Sequence, residues 1–213
     1  MNRVAVIDYG MGNLRSVQKA VEHVAGAAVD VRVTSDPDEV SSAERVVFPG
    51  QGAMPDCMRE LERRGLRSAV VEAASSKPFL GICIGQQMLF EHSQEGDVGG
   101  LGVFAGEVRR FPEAAMHAAD GSRLKVPHMG WNRVRQVKPH PLWSGIEDEA
   151  RFYFVHSYHV DPRDADLAAG VTSYGLLFTS AVARANIFAV QFHPEKSADA
   201  GLQMLRNFLA WQP

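Results

Sequence analysis

Two short stretches of this chain carry side chains able to attack a carbonyl carbon and manage the protons of that reaction. The first is Gly81-Ile82-Cys83-Ile84-Gly85, which ends an apolar run from Pro78 and precedes a segment, Gln86 to Glu91, that reads as helical. A nucleophile on a tight strand-to-helix turn needs small neighbours, because the backbone there is crowded and strained. Such a turn exposes the sulfur at the carboxyl end of the strand and aims a helix N-terminus at it, which favours the thiolate. The N–H of Ile84 then faces a developing oxyanion. An inert cysteine between packing glycines satisfies the same five residues, so the pentapeptide needs support from elsewhere.

A thiolate needs a base, and the base needs a group to orient it. Of the eight histidines, His193 follows a strand-like stretch, Ala189 to Phe192, and opens His193-Pro194-Glu195. Residues two apart in an extended segment point the same way, so the Glu195 carboxylate is expected to reach the imidazole, with Pro194 stiffening the pair. Taken alone this is a surface turn with a solvated glutamate. Beside the cysteine elbow it reads as base and orienter, in the chain order Cys, His, Glu. Pro49-Gly50-Gln51-Gly52 offers a second oxyanion donor, because glycines let backbone N–H groups turn toward a substrate; an ordinary strand-exit turn has the same composition.

Other motifs are set aside. Gly10-Met11-Gly12 has the start of a dinucleotide loop, but Arg15 stands where the third glycine is needed. His156-Ser157-Tyr158-His159 lacks the cysteine or carboxylate neighbours of a metal site, so no metal is expected. Met129, Trp131 and Phe154 are read as core on composition grounds.

The elements that must position these residues alternate. Val4 to Ile7 reads as a buried strand, followed by a helix with Val17, Ala20, Val21 and Val24 on one face and Gly26 as its stop. Val29 to Val33 and Arg45 to Phe48 read as strands, with Asp36-Pro37 as a turn between them. Ala53 to Ala74 reads as helical, broken near Gly65, and Pro78 to Ile82 as the fourth strand. From Gly99 to Val190 short alternating segments such as 106–109 and 133–137 point to antiparallel strands, with 114–123 as a surface loop. A helix opened by Ser197 follows, with Leu202, Leu205, Phe208 and Leu209 on one face. The expected fold is α/β: a mostly parallel sheet flanked by helices, with additional antiparallel strands in the C-terminal half.

Composition sets the outer limits. The chain has 213 residues, a length that one core can organise, and a single domain over 1–213 is expected. A net charge of −3 gives no footprint for nucleic acid or an anionic membrane, and no apolar run approaches a membrane span. The stretch from Met1 to Asp8 is too short in its apolar part for a signal peptide. The two cysteines, Cys57 and Cys83, are too few for a disulfide framework, so a cytoplasmic chain is expected.

With the elbow and His193-Pro194-Glu195 in place, the chain resembles the class I, triad-type glutamine amidotransferases. Three further segments are more specific: Asp8 to Leu14, Lys125 to Asn132 (Lys-Val-Pro-His-Met-Gly-Trp-Asn) and Tyr153 to Tyr158 (Tyr-Phe-Val-His-Ser-Tyr). They resemble the glutaminase subunits of imidazole glycerol phosphate synthases, and the likeness runs from about Arg3 to the last helix. The resemblance implies a flavodoxin-like fold and attack of Cys83 on the side-chain amide of glutamine through a thioester, with no cofactor. It implies a heterodimer with a (β/α)₈-barrel cyclase that uses the ammonia to make imidazole glycerol phosphate and aminoimidazole carboxamide ribotide in histidine biosynthesis. It also implies that Gln87, His156, Ser157 and Tyr158 hold glutamine and that Gly50 and Gly52 belong to the oxyanion strand. Asn13, Trp131, Tyr153 and Lys196 are implied to meet the partner. Gln51 replaces an aliphatic residue usual in the family, and Gln86 stands where methionine is frequent. Three rival readings predict different behaviour: an amidotransferase serving another synthase such as a pyridoxal phosphate synthase, a cysteine peptidase, and a binding subunit with a dead site.

Overall fold

The computed structural model describes residues 2–118 and 120–213. Ala119, within the expected 114–123 loop, and Met1, within the Met1 to Asp8 stretch read as too short in its apolar part for a signal peptide, lie outside the described residues. The first half alternates as its periodicity predicts: β1 (Asn2–Ile7), α1 (Leu14–Ala25), β2 (Val29–Thr34), α2 (Pro37–Ser42), β3 (Arg45–Gly50), α3 (Met54–Arg63), α4 (Arg67–Ser76), β4 (Phe79–Cys83) and α5 (Ile84–Gln87). The second half is strand-rich: β5 (Phe90–Ser93), β6 (Val98–Gly99), β7 (Phe104–Arg110), β8 (His128–Gln136), β9 (Ala150–His156), β10 (Tyr158–Pro162), β11 (Ala168–Tyr174), β12 (Leu176–Arg184), β13 (Ile187–Val190), then α6 (Ala198–Ala210).

The parallel core runs in the order β2-β1-β3-β4-β13, and the chain's two halves meet in it because β13 pairs parallel with β4. Every residue of β3, β4 and β13 is buried. This is the pattern of strands covered on both faces, and it explains their unbroken apolar character. Helices α1 and α6 pack on each other, as do α2 and α4. From β13 the sheet continues antiparallel through β12, β10 and β7. A second path leaves β12 through β11 to β8 and β9, which pair as an antiparallel hairpin. Phe111, Phe154 and Phe178 pack edge to face beneath these strands. Among the described residues no helix is long and apolar enough to cross a membrane.

Three expectations need correction. Asp36-Pro37 starts a helix instead of merely turning the chain: the Asp36 side chain accepts from the Asp38 N–H at 2.9 Å and Pro37 takes the first helical position. The helix expected over Gln86 to Glu91 is only α5, because Leu89 and Phe90 are drawn into the core and Phe90 opens β5. Ser197 takes the N-cap position of α6 as expected, but its hydroxyl does not cap the helix and donates instead to the His193 carbonyl at 2.6 Å. The 114–123 segment is largely exposed, though Met116 turns inward and packs against Gly175.

Burial keeps three histidines neutral, pushing His128 and His140 down to about 4 and His156 down to about 3, with Lys138 adding to the effect at His140. Their folded values lie below the unfolded value near 6.5, so this stability is present above about pH 6.5 and is lost as pH falls toward 4. His140 Nδ1 accepts the Leu142 N–H at 3.1 Å, a bond its protonation would destroy. Replacement His140→Asn keeps an acceptor at that place and removes the titration. The drop in melting temperature between pH 7 and pH 4.5 should then be smaller than in the parent chain; an unchanged drop would remove His140 from the acid response.

Candidate active site

The end of β4 carries the nucleophile candidate into an unusual backbone state. Cys83 has φ 56° and ψ −113°, a conformation that a side-chain-bearing residue adopts only when its surroundings hold it there. Gly85 supplies much of that hold: a Cβ at this position would lie 1.8 Å from the Phe48 carbonyl oxygen of β3. On the other side a Cβ at Gly81 would lie 2.9 Å from the Ala189 Cβ of β13. Both glycines are therefore demanded by close backbone approach, and the short helix α5 is pressed onto the sheet. With only four residues, α5 brings its first-turn N–H groups to Cys83 rather than the dipole of a long helix.

His193 and Glu195 converge as expected, by a different local route. The segment after His193 is a 3₁₀ turn, Pro194–Lys196, not an extended strand. His193 Nδ1 donates to Glu195 Oε1 at 2.8 Å, with the two side chains 6% and 2% exposed. The turn is clamped to β9: His193 N donates to the Tyr153 carbonyl at 2.9 Å, and Ser197 Oγ accepts from Tyr153 N at 2.9 Å. His193 Nε2 is buried with no completed hydrogen bond among the described residues, and Cys83 is its charge partner. Burial opposes the charged ring, but attraction to Cys83 and the bond to Glu195 outweigh it and push His193 up to about 10.

A cleft of about 310 Å³ opens over these groups. Cys83, Ile84, Gln87, His156, Ser157, Tyr158, His193 and Gly52 all line it, which gathers most of the expected site. Gly50 does not. It ends β3 beside Cys83, buried, where a Cβ would lie 2.3 Å from the Tyr9 hydroxyl and 2.8 Å from the Ile84 Cβ. Gly50 therefore permits the approach of β3 to the elbow, and the loop beyond it, Gln51 and Gly52, forms the cleft wall.

Sequence reading missed Gln191 and Glu95. The Gln191 side chain is fully buried; its Nε2 donates toward Cys83 Sγ at 3.7 Å and its Oε1 accepts from Gln87 Nε2 at 2.9 Å. A lone amide inside the apolar run Ile187 to Phe192 was the available signal. Glu95 lines the cleft and accepts the Met54 N–H at 2.8 Å, and nothing in its local pattern marks it.

Three of the four residues implied to meet a partner form one surface group. Trp131 stands opposite Tyr153 in the β8–β9 register with ring centroids 6.1 Å apart, and Lys196 Nζ lies 5.9 Å from the Tyr153 ring. Trp131 and Met129 are 50% and 62% exposed, so the expectation that they are core residues fails, while Phe154 is fully buried. Strand alternation explains this, since 129 and 131 share the outer face of β8. Asn13 is exposed and caps α1, accepting from the Ser16 N–H at 3.4 Å; it makes no hydrogen bond or ring contact to that group among the described residues.

The site can form a covalent acyl adduct. A thiol on a strained turn, a buried imidazole with an orienting carboxylate, and helix-start N–H groups are the parts of acyl transfer. Among the described residues no three His, Cys, Asp or Glu side chains are grouped to hold a metal. Replacement Gly85→Ala must displace the β3 backbone and should cost about 1–3 kcal/mol or more in a urea unfolding curve; an unchanged midpoint would contradict the packing account.

Comparison with known proteins shows the family of the chain. Residues 5–211 match the model of the family "Glutamine amidotransferase class-I". The chain is 72% identical to the imidazole glycerol phosphate synthase subunit HisH of Aromatoleum aromaticum, covering 100% of both chains. It is 70% identical to the protein of the same description from Dechloromonas aromatica, covering 99% of this chain and 97% of that one. Among solved structures, PurLQS from Thermotoga maritima superposes with a TM-score of 0.72 at 17% identity, over 98% of each chain, which speaks for the fold. The chain belongs to the class-I glutamine amidotransferase family.

Proposed function

We propose that this chain is the glutaminase subunit of an imidazole glycerol phosphate synthase, releasing ammonia from glutamine for a cyclase subunit in histidine biosynthesis. The observation that carries the reading is Cys83 on its left-handed turn, opening into the cleft beside the His193–Glu195 pair. The high identity to subunits of that description supports the choice of synthase.

In this reading Cys83 sulfur, as thiolate, attacks the side-chain carbonyl carbon of glutamine. The carbonyl oxygen takes up negative charge, which the Ile84 N–H and the Gln51–Gly52 backbone stabilise. His193, held charged by Cys83 and Glu195, gives its Nε2 proton to the departing nitrogen, so that ammonia leaves and a γ-glutamyl thioester remains. The neutral ring then takes a proton from water, the hydroxide attacks the thioester, and glutamate leaves with the thiolate restored. Glu195 keeps Nδ1 as the donor side throughout. Gln87, His156, Ser157 and Tyr158 bind the glutamine. Ammonia reacts as a nucleophile only when unprotonated, so it has to pass to the partner by a water-poor path.

The partner is the (β/α)₈-barrel cyclase, in a heterodimer, and it docks on the surface group of exposed Trp131 and half-buried Tyr153 and Lys196, and also meets Asn13. The exposed Trp131 ring set edge-on to the Tyr153 ring, with the Lys196 cation near the latter, supports this, because exposed aromatics of this size anchor interfaces. Val155, which lines the cleft, neighbours Met129 in the same hairpin, so the face adjoins the active site. The continuous sheet supports a single domain over 1–213, and the two free cysteines suit the cytoplasm.

Replacement Cys83→Ala in the complex should abolish glutamine-dependent synthesis while leaving synthesis from added ammonium salt. Loss of both would make Cys83 structural. Replacement Trp131→Ala should weaken partner binding by about 2 kcal/mol, read by calorimetric titration; unchanged affinity would move the docking face elsewhere.

A further inference from the structure

Beneath the glutamine cleft runs a chain of hydrogen bonds whose every proton position is fixed by its neighbours. It begins at Asn132 on β8, whose Oδ1 accepts the Arg133 N–H at 2.8 Å and whose Nδ2 donates to the Ser173 carbonyl at 3.0 Å, so the amide cannot be turned over. The same Nδ2 reaches His128 Nε2 at 3.2 Å. His128 Nδ1 and His156 Nε2 are 2.9 Å apart, and His156 Nδ1 lies 2.7 Å from the Tyr158 carbonyl. That carbonyl can only accept, so His156 carries its proton on Nδ1 and presents a lone pair at Nε2. His128 must then donate from Nδ1 and accept Asn132 at Nε2.

The far end of the chain is the glutamine site. The Tyr158 carbonyl also accepts from Gln87 Nε2 at 3.2 Å, and Gln87 binds Gln191, which donates toward Cys83. The near end opens at the surface: His128 and Asn132 border a second cleft of about 590 Å³ that also includes Trp131. His128 is held flat between Tyr174, at 3.9 Å between ring centroids, and Phe154, at 4.8 Å. A ring with no polar duty would satisfy that slot as well as histidine does. A phenylalanine there would leave the buried His156 Nε2 lone pair unsatisfied and free the ring to change tautomer, which removes the proton from the Tyr158 carbonyl.

We propose that His128, oriented by Asn132, is a positioning residue for glutamine: it locks His156 in the Nδ1–H form that holds the Tyr158 carbonyl and, through it, the Gln87 amide. The inference rests on the glutaminase reading and deepens it. His128 touches neither substrate nor sulfur, and acts through His156 alone. Burial keeps both rings neutral at physiological pH, as the relay requires.

The test is inactivation of the purified full chain by 6-diazo-5-oxonorleucine, a diazoketone analogue of glutamine that alkylates the nucleophile. The concentration for half-maximal inactivation rate reads binding, the limiting rate reads chemistry, and alkylation of Cys83 by iodoacetamide reads the sulfur alone. His128→Phe keeps the ring stack and removes the donor; His128→Asn sacrifices the stack but places an amide N–H where Nδ1 stood. The half-saturating concentration should rise about tenfold in His128→Phe, equal to about 1.4 kcal/mol, with iodoacetamide reactivity within about twofold of the parent. His128→Asn, although the less stable of the two in a melting curve, should recover to within about threefold of the parent. Equal half-saturation in all three chains, or values that follow stability instead of the donor, would overturn the proposal. A parent chain left unlabelled at Cys83 by the diazoketone would instead overturn the glutaminase reading itself.

Discussion

The backbone of Cys83 is the constraint around which the rest is arranged. A residue with a side chain at φ 56° costs on the order of 1–3 kcal/mol, and only surroundings that permit no alternative keep it there. Those surroundings are two neighbouring strands. Phe48 of β3 blocks any side chain at position 85, and Ala189 of β13 crowds position 81. The parallel core, whose strands β3, β4 and β13 are buried on both faces, is stiff enough to bear this load. What it gains is a sulfur projecting from the carboxyl edge of the sheet beside helix-start N–H groups, where open α/β sheets place their ligands.

The second half of the chain serves that edge. Strand β13 enters the parallel core next to β4 and delivers His193 just past its end, while Gln191 reaches back to Cys83. The turn after it is not free to drift, because Ser197 ties the His193 carbonyl to β9 and Tyr153 ties the His193 N–H. Strand β9 in turn forms a hairpin with β8, which presents Trp131 outward and His128 inward. One hairpin therefore carries a surface patch on one face and the buried histidine chain on the other. The patch proposed to meet a partner and the histidine chain proposed to position glutamine lie on one rigid element rather than on a loop.

Local pattern revealed the parts of this arrangement that depend on near neighbours. The buried strands Val4–Ile7 and Arg45–Phe48 were legible as apolar runs, the partly exposed strand Val29–Val33 by valines alternating with charged residues, and the break at Gly65 as a glycine between helices. The elbow was legible because two glycines flank one cysteine. What escaped depends on distant chain. Trp131 reads as core by composition, and only strand parity within the folded hairpin turns it outward. Gln191 was hidden because its reason for burial lies at Cys83 and Gln87, roughly a hundred positions away in sequence. Gly50 reads from composition as part of a donor loop, and a second reason for glycine there, the Tyr9 hydroxyl and Ile84 Cβ that leave no room for a side chain, comes from distant chain. Asp36-Pro37 is a different failure: the pair is a helix start as readily as a turn, and α4, packed against α2, favours the helix.

The central claim is that the strained turn makes Cys83, and not the buried Cys57, the acceptor of a γ-glutamyl group. Burial holds the Cys57 thiol up at about 11, so it is a poor thiolate at neutral pH. The most direct measurement is acid quenching of the chain with ¹³C-labelled glutamine during turnover, followed by mass spectrometry of its peptides. The account predicts labelled glutamyl thioester on the peptide holding Cys83 and none on the peptide holding Cys57. Label on Cys57, or turnover of glutamine with no thioester on either cysteine, would contradict it.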